Sequence, residues 1–137
     1  MAPRVVLASS SSARLKVLRA AGVDPDVLVP GVDEVFSAPD TAGRVCEIAR
    51  VKGLAVRESI GETPSVATVL IAADTMLDID GVSYGKPHDV DVARQRLHGM
   101  SGNSGVLYTG IMWRSHPPAG RGLTTWKWPR PPSISRQ

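Results

Sequence analysis

The feature that most constrains this chain is the stretch Ile71-Ala-Ala-Asp-Thr-Met-Leu-Asp-Ile-Asp-Gly-Val-Ser-Tyr-Gly-Lys-Pro87. An apolar run over residues 67–73 leads through it and predicts a buried strand. The run ends on a carboxylate, Asp74, followed by a hydroxyl, Thr75. Two short alternating pieces, residues 76–78 and 82–84, flank Asp80-Gly81, a dipeptide that favours a two-residue hairpin turn. Such a turn sends the chain back so that Lys86, fixed before Pro87, lies near Asp74. In α/β folds ligands gather at the ends of core strands, which makes Asp74, Thr75 and Lys86 candidate site residues.

Around this centre, strands and helices alternate. Residues 5–8 read as a short apolar strand running into Ser9-Ser-Ser-Ser12 and a helix over 13–21. Serines at that junction are natural helix caps, and free N–H groups with the nearby Arg14 also make a seat for phosphate; the residues alone leave both readings open. Residues 26–29 read as a second strand closed by Pro30-Gly31, with Asp33-Glu34 in the loop beyond. A long helix is expected over 41–59, capped by Asp40 or Thr41, with Val45, Ile48, Ala49, Ala55 and Val56 as its apolar stripe. Lys52 falls within that stripe, so it must snorkel, pair with an acid or reach a ligand. After Pro87, Asp89 caps a helix to about Met100, and a last strand begins at Val106 and ends at Thr109-Gly110. The pattern is that of an α/β sheet.

Composition narrows the class. Residues 1–110 hold 11 basic and 13 acidic side chains, whereas residues 111–137 hold five basic ones and no acid, so the net +3 belongs to the C-terminal segment. A body that is slightly acidic does not read as a nucleic-acid surface. The single cysteine, Cys46, allows no internal disulfide and fits a reducing compartment. No stretch approaches a membrane span and the N-terminus lacks a signal-peptide pattern, so a cytoplasmic location is expected. The segment 111–137 holds all three tryptophans and five of eleven prolines without strand or helix periodicity. It is expected to be a poorly ordered tail, of the kind a shifted frame or an early truncation leaves.

Taken in order, the motifs Leu7-Ala-Ser-Ser-Ser-Ser-Ala-Arg14, Pro30-Gly-Val-Asp-Glu34, Ala49-Arg-Val-Lys52, Ala73-Asp-Thr75 and Gly85-Lys-Pro87, followed by Ser101-Gly102 and Tyr108-Thr-Gly110, resemble the Maf family of nucleoside triphosphate pyrophosphatases. The resemblance covers residues 4–110. It implies a Maf/ITPase-like mixed α/β sheet with flanking helices, and cleavage of a nucleoside triphosphate to the monophosphate and pyrophosphate with a divalent metal, Mg²⁺ or Mn²⁺. By motif match Asp74 would accept the proton of the attacking water. Ser9, Arg14, Glu34, Lys52, Thr75 and Lys86 would line the triphosphate site, with Glu34 and Asp74 as metal ligands. Thr75 resembles the branch acting on dTTP and UTP.

The sequence departs from the family at Ser12-Ala13, where many members have Pro-Arg, and at Gly105, where histidine is usual. The second lobe expected after Tyr108-Thr-Gly110 is not matched, so the domain is expected to span 1–110. A homodimer and the sheet itself would both be weakened by that loss, exposing an unpaired edge and apolar faces. Two other readings stand beside the enzyme. One is a nucleotide-binding remnant without turnover, and the other is an interaction protein working through its basic tail.

Overall fold

The computed structural model describes residues 2–61 and 64–118. Its elements are β1 (Arg4–Ala8), α1 (Ser12–Ala20), β2 (Asp26–Val27), α2 (Thr41–Ile60), β3 (Thr68–Ile79), β4 (Val82–Tyr84), α3 (Val90–Met100) and β5 (Val106–His116). The sheet is mixed. β1 runs parallel to both β2 and β3, whereas β3 pairs antiparallel with β4 and β5.

The expected strand break at Asp74 does not occur. β3 continues for 12 residues through Asp74 and Thr75, because β5 pairs with it from Thr68↔His116 to Asp78↔Val106 and satisfies one whole edge. The opposite edge is shared. β1 occupies it from Thr68 to Ala72, and β4 takes it up again only at Leu77. Between them, residues 73–76 present an edge that no strand among the described residues covers. The strand end expected at Asp74 is thus not there; what is interrupted beside Asp74 is the ladder on this edge, not β3.

The hairpin forms as the sequence predicts. Leu77↔Tyr84 and Ile79↔Val82 close a two-residue turn in which Asp80 (φ 51°) and Gly81 (φ 82°) are both left-handed, the conformation of a type I′ turn. Asp78 accepts from the Gly81 N–H at 2.9 Å and holds the turn from its start.

α2 covers one face of the sheet, and the period of two along the strands decides what meets it. Val6, Ala8, Leu70 and Ala72 pack with Val56, while Met76 packs with Val45 and Ile48. Asp74 shares the face of Leu70, Ala72 and Met76 and so points at the helix. On β5 the same face carries Tyr108, Gly110 and Met112. Gly110 lies so close beneath α2 that a Cβ there would collide with the Val45 carbonyl and stand 2.7 Å from Cys46 N.

β5 does not stop at Gly110 as expected; it runs six residues further, to His116. Alternation in this piece is hidden in sequence because its outward face carries apolar side chains too: Ile111 and Trp113 are 62% and 52% exposed. The rest of the expected tail, from residue 119, lies outside the described residues, as do Glu62 and Thr63. α3 is capped by Asp89 as predicted, yet none of its residues is buried. Among the described residues nothing covers its apolar side chains Val90 and Leu97, which are exposed.

Candidate active site

The uncovered edge of β3 opens into a cleft of about 200 Å³. Ser9, Arg14, Glu34, Lys52, Asp74, Thr75 and Lys86 all line it, so every site residue expected from sequence converges on one place. Four chain segments deliver them: the β1–α1 junction, the loop before α2, α2 itself, and β3 with the segment after β4.

At the first junction Ser11 caps α1, accepting from Arg14 N. Ser9, buried at the end of β1, accepts from Ser11 N at 3.1 Å and so bends the chain into the helix. The Arg14 side chain then folds back across the gap in the sheet. It donates to Ser9 Oγ at 2.9 Å, to the Ala73 carbonyl at 3.1 Å and to Thr75 Oγ1 at 2.9 Å. The guanidinium supplies a donor to a strand carbonyl lying where β1 has ended and β4 has not begun. Thr109 of β5 sits opposite Thr75 and shares a 2.9 Å hydrogen bond with its hydroxyl.

The second group centres on Lys52. Its ammonium donates to Asp74 Oδ1 at 2.7 Å and lies 2.8 Å from Glu34 Oε1, so one nitrogen brings two carboxylates to a single point. This resolves the lysine on an apolar stripe: the stripe faces the sheet, and the sheet presents Asp74 there. Burial alone would lower the Lys52 pKa, but the hydrogen bonds and charges of Asp74 and Glu34 together outweigh it and raise it above the ordinary value. Lys52 therefore stays an ammonium at neutral pH. Asp74 is buried while Glu34 is half exposed at the rim.

Two carboxylates meeting at a point lined by basic side chains suit an oxygen-preferring cation. Mg²⁺ commonly takes only one or two protein carboxylates and completes its shell with water and substrate phosphates. No group of three or more histidine, cysteine, aspartate or glutamate side chains suited to a metal occurs among the described residues, so an all-protein cage is not what this cleft offers.

The cleft also holds residues that sequence reasoning passed over. Ser10 and His88 line it, with Val29, Pro30, Val32 and Met76 as apolar wall. A lone histidine after Lys86-Pro87 carries no periodic or spacing signal, so nothing in the sequence marks it. Thr109 was visible only as part of Tyr108-Thr-Gly110, without a partner.

The chain is 47% identical over 108 residues to a nucleoside triphosphate pyrophosphatase of Salinispora tropica, covering 78% of this chain and 48% of that protein. A nucleoside triphosphate pyrophosphatase of Mycobacterium sp. (strain JLS) is 44% identical over 118 residues, covering 80% and 55%. The chain thus spans about half the length of the curated relatives it matches. Among solved structures, a nucleoside-triphosphatase described as a dITP/XTP pyrophosphatase from Mycobacterium abscessus matches with a TM-score of 0.36 and 20% identity, over 88% of this chain and 77% of that one. The family model described as Maf-like protein matches residues 4–127, past the expected boundary at 110 and over most of the sequence, and the chain belongs to that family.

Proposed function

We propose that the cleft hydrolyses a nucleoside triphosphate to the monophosphate and pyrophosphate, with dTTP and UTP as preferred substrates. The observation that carries this reading is the Lys52 bridge between Glu34 and Asp74, set in the gap of the β3 edge and flanked by Arg14 and Lys86. Three cations and two carboxylates around one opening match the needs of phosphoanhydride cleavage, where catalysis is mostly positioning and charge neutralisation. The names of the relatives support the same chemistry.

In this mechanism Asp74 accepts the proton of a water attacking the α-phosphorus, and burial beside Lys52 keeps the carboxylate oriented. Arg14 is held by Ser9, Ala73 and Thr75 and meets the phosphates without needing to order itself on binding. Lys52 and Lys86 meet charge gathering on the departing pyrophosphate. Glu34 and Asp74 are the residues that would hold a divalent cation, which when bound supplies further neutralisation of the phosphate oxygens. The hydroxyl of Thr75 stands beside Arg14 on the cleft wall, the position through which the resemblance implies a pyrimidine preference.

The test is pyrophosphate release from UTP, dTTP, GTP and ATP by the purified chain with Mg²⁺ or Mn²⁺. The reading predicts release from UTP and dTTP ahead of the purines, and a fall of about 10²–10⁴-fold in Asp74→Asn. Equal release by Asp74→Asn and the parent chain would sink it.

A further inference from the structure

Glu34 reaches the cleft on a segment with few tethers of its own. Before it, the last backbone bond to the sheet is Leu28 N–H to the Leu7 carbonyl at 3.0 Å. After it, the chain is taken up by α2. Glu47 Oε2 accepts from Ser37 N at 2.7 Å and Ala38 N at 3.1 Å, and Oε1 accepts from Ser37 Oγ at 3.0 Å. Arg44, one helical turn earlier, donates to the Ala38 carbonyl at 2.9 Å and the Pro39 carbonyl at 3.2 Å, and lies over the Phe36 ring at 4.8 Å from its centroid. Another nitrogen of the same guanidinium donates to Ser83 Oγ of β4 at 3.0 Å.

We infer that Glu47 is a positioning residue for Glu34: by gripping Ser37 and Ala38 from α2, it fixes the segment so that the Glu34 carboxylate meets Asp74 at the cation and phosphate site. The inference rests on the reading of Glu34 as a ligand there. Two residues separate Glu34 from the gripped serine, too few for the carboxylate to keep its place if that end swings. Glu47 and Lys52 sit on the same helix, so one rigid element sets both the segment's anchor and the ammonium that Glu34 faces. Arg44 ties the same anchor to the hairpin that precedes Lys86. The Glu47 carboxyl is held below its ordinary pKa, first by the Ser37 N–H and then by that of Ala38, so the grip persists at neutral pH.

Gln at position 47 can keep all three contacts, its carbonyl oxygen accepting from both amides and its amide group donating to Ser37 Oγ. Ala keeps none. The experiment is Mn²⁺ binding by electron paramagnetic resonance, with the α,β-imido analogue of UTP present, on the full chain. Expected are a rise in Mn²⁺ Kd of about tenfold in Glu47→Ala, the scale of an outer partner of a metal ligand, and Glu47→Gln close to the parent. Ser37→Ala, at an exposed position where folding is not at risk, severs one contact and is expected to weaken binding about threefold. In a Glu34→Gln background, Glu47→Ala is expected to add nothing. Unchanged binding in Glu47→Ala and Ser37→Ala while Glu34→Gln weakens it overturns the inference and leaves the site reading intact. Additive losses in the double variant overturn it as well. Unchanged binding in Glu34→Gln removes the reading of Glu34 and the inference together.

Discussion

At the scale of single residues, Lys52 carries the account because both carboxylates depend on it. Removing one member of a buried pair leaves the partner charged and desolvated, which costs about 3–5 kcal/mol. Lys52→Met should therefore lower stability by about 3 kcal/mol in urea unfolding as well as stopping turnover, whereas Lys86→Met should affect turnover alone. Equal stability of Lys52→Met and the parent chain would contradict the pairing described. His116 is a second residue with a measurable signature. It is buried at the end of β5, and neither ring nitrogen has a partner among the described residues. Burial first, then the charges of Arg114 and Arg57, lower its pKa. A base whose folded pKa lies below the unfolded value binds fewer protons when folded, so stability is complete above about pH 6.5 and falls as the pH drops through that value. Thermal unfolding from pH 8 to pH 5 should show this acid limb, and His116→Leu should flatten it.

Much of this was legible because the chemistry is local in sequence. A lysine within an apolar stripe, a carboxylate ending an apolar run and serines before an arginine each announce an anomaly that a cleft resolves. What could not be read was the partner of each anomaly. Lys52 to Asp74 spans 22 residues and Arg14 to Thr75 spans 61, and these pairings exist only once β1 and β3 align in parallel register. Glu47 and Arg44 were invisible for another reason. Charged residues on the outer side of a helix look solvated until a loop folds over them.

At the scale of elements, the contact of α2 with β5 is set by two glycines that differ in what blocks a side chain. A Cβ on Gly110 meets the backbone of Val45 and Cys46, which cannot step aside, whereas one on Gly53 meets mainly the flexible Met112 side chain, with Ala72 Cβ at 3.3 Å. Gly110→Ala should destabilise by about 2–3 kcal/mol through overpacking. Gly53→Ala should lose clearly less, since alanine recovers up to about 1 kcal/mol of helix propensity. A reversed order in chemical denaturation would mean that α2 does not lie on β5 as described. The same contact explains why β5 outruns its expected end. Its length follows β3 and the inward residues Met112 and His116, while the outward Ile111 and Trp113 conceal the alternation that would have announced a strand.

At the scale of the whole molecule, one side of the sheet is covered by α2, while the outward row of β5 stays exposed. Leu107, Ile111 and Trp113 lie on one face, with Thr109 between the first two, and leave exposed apolar surface of the kind that promotes association. Replacing all three with threonine keeps β-propensity and should reduce binding of 8-anilinonaphthalene-1-sulfonate and light scattering without lowering Tm. A large fall in Tm would show that this surface is covered in solution. No helix among the described residues is long and apolar enough to cross a membrane.

The central claim is that water guided by Asp74 attacks the α-phosphorus, and isotope position tests it most directly. Hydrolysis of UTP in H₂¹⁸O, followed by mass analysis of both products, is predicted to place the label in the monophosphate and none in pyrophosphate. Label in the pyrophosphate, or no hydrolysis by folded chain with Mg²⁺ and Mn²⁺, would contradict it.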